Sequence, residues 1–100
     1  MPDVVTVVAR LYAKPGKEDE LEALLKEQAA AVRRAEPECL VYRPHRSSKE
    51  GGVFLFYEQY RSREGFDLHR NAPHLAAFRE RQKPLLDRPT EVELYRALTD

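Results

Sequence analysis

Apolar positions along the chain switch between two periods, and each switch predicts an element. Val4 to Tyr12, "VVTVVARLY", is a β-branched, apolar run that reads as a largely buried strand. "KPG" at Lys14 to Gly16 marks a turn. From Glu18 the period becomes helical. Leu21, Leu24, Leu25, Gln28, Val32 and Ala35 fall on one face, while Glu18, Asp19 and Glu20 load the first turn with the negative charge that the helix dipole favours. Pro37 ends this helix, because the residue before a proline is pushed out of the helical region.

The second half repeats the strand–helix alternation with shorter pieces. Cys39 to His45, "CLVYRPH", predicts a second strand; Pro44 lacks an N–H, which places it at a sheet edge or a strand end. "SSKEGG", Ser47 to Gly52, is a hairpin loop, and Val53 to Tyr60, "VFLFYEQY", is a third strand read as aromatic on both faces. Ser62 is placed to cap a short helix from Arg63 to about Arg70. Asn71 and Pro73 break that helix and restart a second one, with Leu75, Phe78, Gln82 and Leu85 at helical spacing and Pro84 limiting its length. Glu91 to Arg96, "EVELYR", is the closing strand.

The order β-α-β-β-α-β predicts an α+β, ferredoxin-like unit with both helical regions on one face of an antiparallel sheet. The other face is left bare. An aromatic strand with two faces to bury therefore predicts that a second copy covers it, giving a homodimer.

Composition narrows the partners. The 100 residues predict one domain, 1–100, and a chain this short buries a modest share of its surface. Seventeen basic and seventeen acidic residues cancel, which argues against nucleic acid or an anionic membrane as the main partner. No apolar run approaches the ~20 residues of a membrane span, and "MPDVVTVVARLY" lacks the pattern of a secretory signal. Cys39 is the sole cysteine, so no internal disulfide forms, and a cytoplasmic location is expected.

Strand one followed by "KPGKEDEL", the "CLVYRPHRS" strand, "FLFYEQYRSREGFDLHRNAPHLAAF" and the closing "VELYRAL" together resemble the antibiotic biosynthesis monooxygenase family over nearly the whole chain. The paired-histidine stretch is most similar to the small quinol-oxidising members. The resemblance implies a dimeric α/β barrel that oxidises a small phenolic, quinol or polyketide-like aromatic substrate with O2, using no metal, flavin or haem cofactor. Haem-degrading relatives carry a tryptophan on the short helix and an iron-binding histidine on the next. This chain has no tryptophan and has Arg79 at the position corresponding to that histidine, so haem degradation is not expected. An oxygen-independent isomerase and a non-enzymatic ligand-binding dimer are the rival readings, since the fold does not fix the reaction.

The candidate chemistry sits in "FDLHRNAPHLAAF", Phe66 to Phe78. His69 is the candidate general base, since an imidazole can take a proton from a phenol near neutral pH; its bland alternative is a helix-end contact. His74 either joins it across the break or bonds backbone groups freed there. Glu58, an acid in an aromatic strand, either orients an imidazole or pairs with Arg10 or Arg96. Tyr42, Phe54, Phe56, Tyr60, Phe66 and Phe78 are candidates to hold a flat ring, with core packing as the alternative for most of them. Tyr42 is the one expected to offer its hydroxyl. A metal reading needs a third ligand such as His45 or Glu58 and lacks the spacing of a zinc helix, so no metal is expected. Arg43 and Arg46 read as solvated surface, and Cys39 as unreactive.

Overall fold

The computed structural model describes residues 3–99. The chain is α+β: β1 (Val5–Tyr12), α1 (Glu18–Ala35), β2 (Cys39–Arg46), β3 (Val53–Tyr60), α2 (Arg63–Arg70), α3 (Pro73–Gln82), a 3-10 turn (Lys83–Leu85) and β4 (Glu91–Arg96). The strands form one antiparallel sheet in the order β2-β3-β1-β4, the ferredoxin-like arrangement. β2 is an edge strand, which is where Pro44 costs no ladder hydrogen bond.

Strand register assigns each face. Val7, Ala9 and Leu11 of β1 lie opposite Glu58, Phe56 and Phe54 of β3, and these six are buried beneath the helices. Thr6, Val8 and Arg10 lie opposite Gln59, Tyr57 and Leu55 on the other face, which carries no helix. The aromatic residues of β3 are therefore shared between the faces less evenly than expected. Phe54, Phe56 and Tyr60 occupy alternate positions and all point toward the helices, leaving Tyr57 alone on the open face.

α1 buries Leu21, Leu24, Leu25, Gln28, Ala29 and Val32 against the sheet. Ala35, expected on this stripe, is exposed, because it is the last helical residue and lies past the packed turn. Before α1, Gly16 takes φ 85°, a left-handed turn conformation that suits glycine.

Candidate active site

α2 is short because its sequence caps it at both ends. The Ser62 hydroxyl accepts from the Gly65 N–H at 3.2 Å, and the Asn71 backbone N–H and side-chain amide both donate to the Asp67 carbonyl. Ala72 is extended, as a residue before proline must be, and Pro73 opens α3 with the ring that needs no N–H partner. Gly65 lets α2 approach closely: a Cβ there would lie 2.8 Å from the Glu38 Cβ. This contact brings the last turn of α2 beside the end of α1.

At that meeting point stands Glu36, the residue that caps the C-terminus of α1. His69, 4% exposed, places Nδ1 2.9 Å from each Glu36 carboxylate oxygen. His74, at the start of α3, bonds the same carboxylate through Nε2. A carboxylate can only accept, so the His69 proton lies on Nδ1 and Nε2 keeps its lone pair. That Nε2 faces Glu58 Oε1 at 3.9 Å, and Glu58 Oε1 accepts from the Tyr60 hydroxyl at 2.7 Å.

Burial sets the proton affinities here. It lowers the His69 pKa below the ordinary histidine value; the Glu36 hydrogen bond and charge work the other way, and His74 and Arg79 add to the lowering. Burial pushes the Glu58 carboxyl up to about 7, opposed by the Tyr60 hydrogen bond and reinforced by the Glu36 charge. The Tyr42 hydroxyl is raised far above the tyrosine range, by burial first and then by Glu58. Burial and the charges of Glu36 and Glu58 push the Cys39 thiol up to about 12, which fits an unreactive cysteine. His69 is thus neutral at pH 7, with a fixed tautomer, beside an acid that titrates near neutrality.

A cavity of about 180 Å³ opens between the sheet and the α2–α3 junction. Ala9, Leu11, Phe56, Leu75, Phe78 and Val92 form its apolar wall, and Tyr42, Glu58 and His69 bring polar groups into it. Phe66 and Arg79 also line it. Tyr42 packs on Phe56 at 4.5 Å between ring centroids, and Phe78 meets Phe56 edge-on at 6.3 Å. Of the residues expected from sequence, the cavity gathers His69, Glu58, Tyr42, Phe56, Phe66 and Phe78.

Three expected site residues lie elsewhere. Phe54 is buried beside Leu25 of α1 with the Arg46 guanidinium over its ring. Tyr60 is fully buried and uses its hydroxyl on Glu58, so it supports the site from behind. His74 turns to a separate open groove of about 470 Å³ that it shares with Glu36, Glu38, Gly65 and Pro73. The expected partners also change. Neither Arg10 nor Arg96 pairs with Glu58 among the described residues, and Arg10 lies on the opposite sheet face. His45 is exposed on the outer face of β2, away from the other two histidines. Arg46, read as solvated, is held by Asp19 at 3.0 Å and Glu22 at 2.9 Å. The donor atoms that do come together, within 4.8 Å of one another, belong to Glu36, His69 and His74.

Glu36 is the residue that sequence reasoning missed. It lies 33 and 38 positions from its partners. Its one local signal is a carboxylate at a helix C-terminus, where the dipole disfavours negative charge unless something compensates it.

Residues 4–81 match the model of the family described as antibiotic biosynthesis monooxygenase. The chain is 35% identical to a Mycobacterium tuberculosis protein named "Putative monooxygenase Rv0793", over 100% of this chain and 97% of that one, and the structure of that protein superposes with a TM-score of 0.87. A crystallised Caulobacter crescentus protein assigned to the same family gives a TM-score of 0.92 at 31% identity, with 98% and 92% of the two chains covered. An uncharacterised Synechocystis protein is 32% identical over 94% of this chain, which spans 63% of that protein's length. The fold, the matched span and these relatives agree: the chain belongs to the antibiotic biosynthesis monooxygenase family.

Proposed function

We propose that the protein is a monooxygenase that oxidises a small phenolic or quinol substrate with O2, without a cofactor, using His69 as general base. The observation that carries this reading is the His69 ring: Nδ1 is tied to the Glu36 carboxylate, and Nε2 stands 3.9 Å from Glu58 Oε1 where both residues line a mostly apolar cavity. A side chain that is buried, neutral and fixed in one tautomer is prepared to take a proton from a hydroxyl placed beside it. Glu36 would stabilise the imidazolium that results. Glu58 and Tyr42 would contact the substrate oxygen. An apolar cavity of ~150 Å³ holds a benzene, so about 180 Å³ suits one or two rings in preference to a larger polycycle.

The chemistry balances with no outside reductant. His69 Nε2 takes the phenolic proton, and the anion passes one electron to O2. The ring radical and superoxide combine at a ring carbon ortho or para to the oxygen, forming a peroxide that His69 protonates. Loss of that carbon's hydrogen with the terminal oxygen, as water, leaves a carbonyl. One oxygen atom enters the product and the other leaves as water.

Assembly belongs to the same proposal. Val8, Val41, Leu55, Tyr57 and Tyr95 occupy the helix-free sheet face, with Tyr57 38% and Tyr95 52% exposed. A second copy of the chain laid on this face would bury them. Sedimentation should give a dimer, and Leu55→Asp should shift it to monomer.

The deciding experiment is oxygen uptake with a panel of one- and two-ring hydroquinones and naphthols, in chelator-treated buffer without flavin, against the autoxidation background. Uptake by the wild type that His69→Gln abolishes supports the reading, and incorporation of one labelled oxygen atom completes it. No uptake above background with any substrate rejects it. Turnover that persists without oxygen would favour an isomerase, for which the adjacent Glu58 and His69 would serve as a proton donor and acceptor.

A further inference from the structure

His69 lines one cavity and bonds a residue that lines another. Its ring lines the cavity under the sheet beside Glu58, while its Nδ1 meets Glu36, which with His74 lines the open groove at the α2–α3 junction. We propose that Glu36, His69 and His74 form a site for a divalent cation of the zinc class, entered from that groove.

The donor set fits such an ion. One carboxylate and two imidazoles are the protein ligands of many open zinc and non-haem iron sites. Donors placed about 2.0–2.2 Å from a tetrahedral ion lie roughly 3.3–3.6 Å from one another, and the Glu36 oxygens stand 2.9 Å from His69 Nδ1, so an opening of about half an ångström admits the ion. His74, with a side chain 24% exposed, has room to draw back into the groove to complete the set. The three ligands come from three elements: the C-cap of α1, the last turn of α2 and the first turn of α3. Helix packing fixes the three backbones relative to one another, and the partly exposed His74 side chain supplies the adjustment. The open groove leaves the remaining coordination positions to water or a small ligand.

Electrostatics point the same way. The Glu36 side chain is 10% exposed, and its hydrogen-bond partners among the described residues are two histidines. A carboxylate so placed is costly to bury without a cation. Two helix C-termini, those of α1 and α2, direct the negative ends of their dipoles at the cluster, against one N-terminus from α3. Behind the site, Glu58 stands 3.9 Å from His69 Nε2, where a carboxylate can back a ligating histidine.

Occupancy has a consequence that rests on the proposed base chemistry. An ion on Nδ1 takes the lone pair there and leaves the ring proton on Nε2. His69 then presents a donor to the cavity instead of an acceptor, so the loaded protein is switched off.

The test uses the full chain, stripped with chelator and desalted. Zinc is titrated against a chromophoric chelator, and cobalt is followed by its visible absorption. One equivalent per chain with a micromolar or tighter Kd is expected, with Glu36→Gln and His74→Ala each weakening binding at least tenfold. His45→Ala, at the exposed histidine of the outer sheet face, should bind as the wild type does. Circular dichroism checks each variant, and the partial exposure of His74 makes its variant the one expected to stay folded. Absence of stoichiometric uptake overturns the site, as does uptake unchanged by both Glu36→Gln and His74→Ala. In the oxygen-uptake assay, zinc at one equivalent should stop turnover by the wild type. Full turnover by zinc-loaded protein overturns the switch while leaving the site to the titration. Protein that binds zinc but oxidises nothing keeps the site and rejects the proposed activity.

Discussion

α1 and the α2–α3 pair hold equivalent places in the two halves of the fold, each crossing the same sheet face between two strands, yet they do different work. α1 is an unbroken 18-residue helix that buries six side chains on the sheet. The second crossover is interrupted at Asn71 and Ala72; α2 buries Gly65, Phe66 and His69, and α3 buries Leu75 and Phe78. The break leaves a cavity beside β1 and β3 and turns helix ends, with their unpaired polar groups, toward it. α1 contributes to the site only from its own end, through Glu36. The unbroken crossover packs the core along its whole length, the interrupted one also carries the candidate site, and the difference arises where helices stop.

That contrast can be broken by exchange of effects. The largest is expected at the interrupted crossover: His69→Gln should lower the oxygen-uptake rate by about 10²–10⁴, the usual contribution of a general base, while shifting the melting midpoint little. At α1 the reverse holds. Leu25, 1% exposed, should cost about 2–5 kcal/mol of stability as Leu25→Ala, since the vacated volume lies in a packed core; urea unfolding measures it. A large activity loss in folded Leu25→Ala protein would show that the two halves are not separable in this way.

Glu58 sharpens the comparison because it belongs to the sheet beneath the break. Its carboxyl is raised from 4.5 to about 7, so between these values the native state holds a proton that the unfolded chain has lost. Stability should therefore fall as pH rises through this window and stay reduced above it. Glu58→Gln should remove that dependence, with little gain below pH 4.5 and about 3 kcal/mol above pH 7. Thermal melts of both proteins in chelator across pH 4 to 8.5 would show it; parallel curves would mean that the carboxylate is better solvated than its burial implies. The smallest effect is at the cap of α2. Ser62→Ala should cost about 1 kcal/mol and speed amide exchange in α2 more than in α1.

The elements that carry the contrast were legible in the sequence because their signals are local. β3, α2 and β4 fall where the aromatic run "VFLFYEQY", the Ser62 cap and the closing "EVELYR" place them. His69, Glu58, Tyr42, Phe56, Phe66 and Phe78 could be nominated for the site because each is an unusual residue type for its element or a ring near the break. Phe54 and Tyr60 were nominated by the same rule, and residue type alone could not separate them from Phe56: alternate positions of one strand share a face, while the cavity spans only part of its length. The faces of β3 needed register as well. The pattern "VFLFYEQY" puts three of its rings on alternate positions, and only the pairing with β1 and β2 shows that these meet the helices.

Sequence by itself determined the β-α-β-β-α-β order, the break between α2 and α3, and the presence of two imidazoles on either side of it. These follow from short-range rules of turn, cap and periodicity, which act within a few residues. Only the tertiary structure decided that both imidazoles share Glu36, that His69 and His74 face different cavities, and that Tyr60 braces Glu58 instead of meeting a ligand. Those contacts join residues more than thirty positions apart, apart from the short Tyr60–Glu58 link within one strand. They exist because Gly65 lets α2 settle against Glu38 and brings the end of one helix to the end of another, a packing relation that no local pattern along the chain encodes.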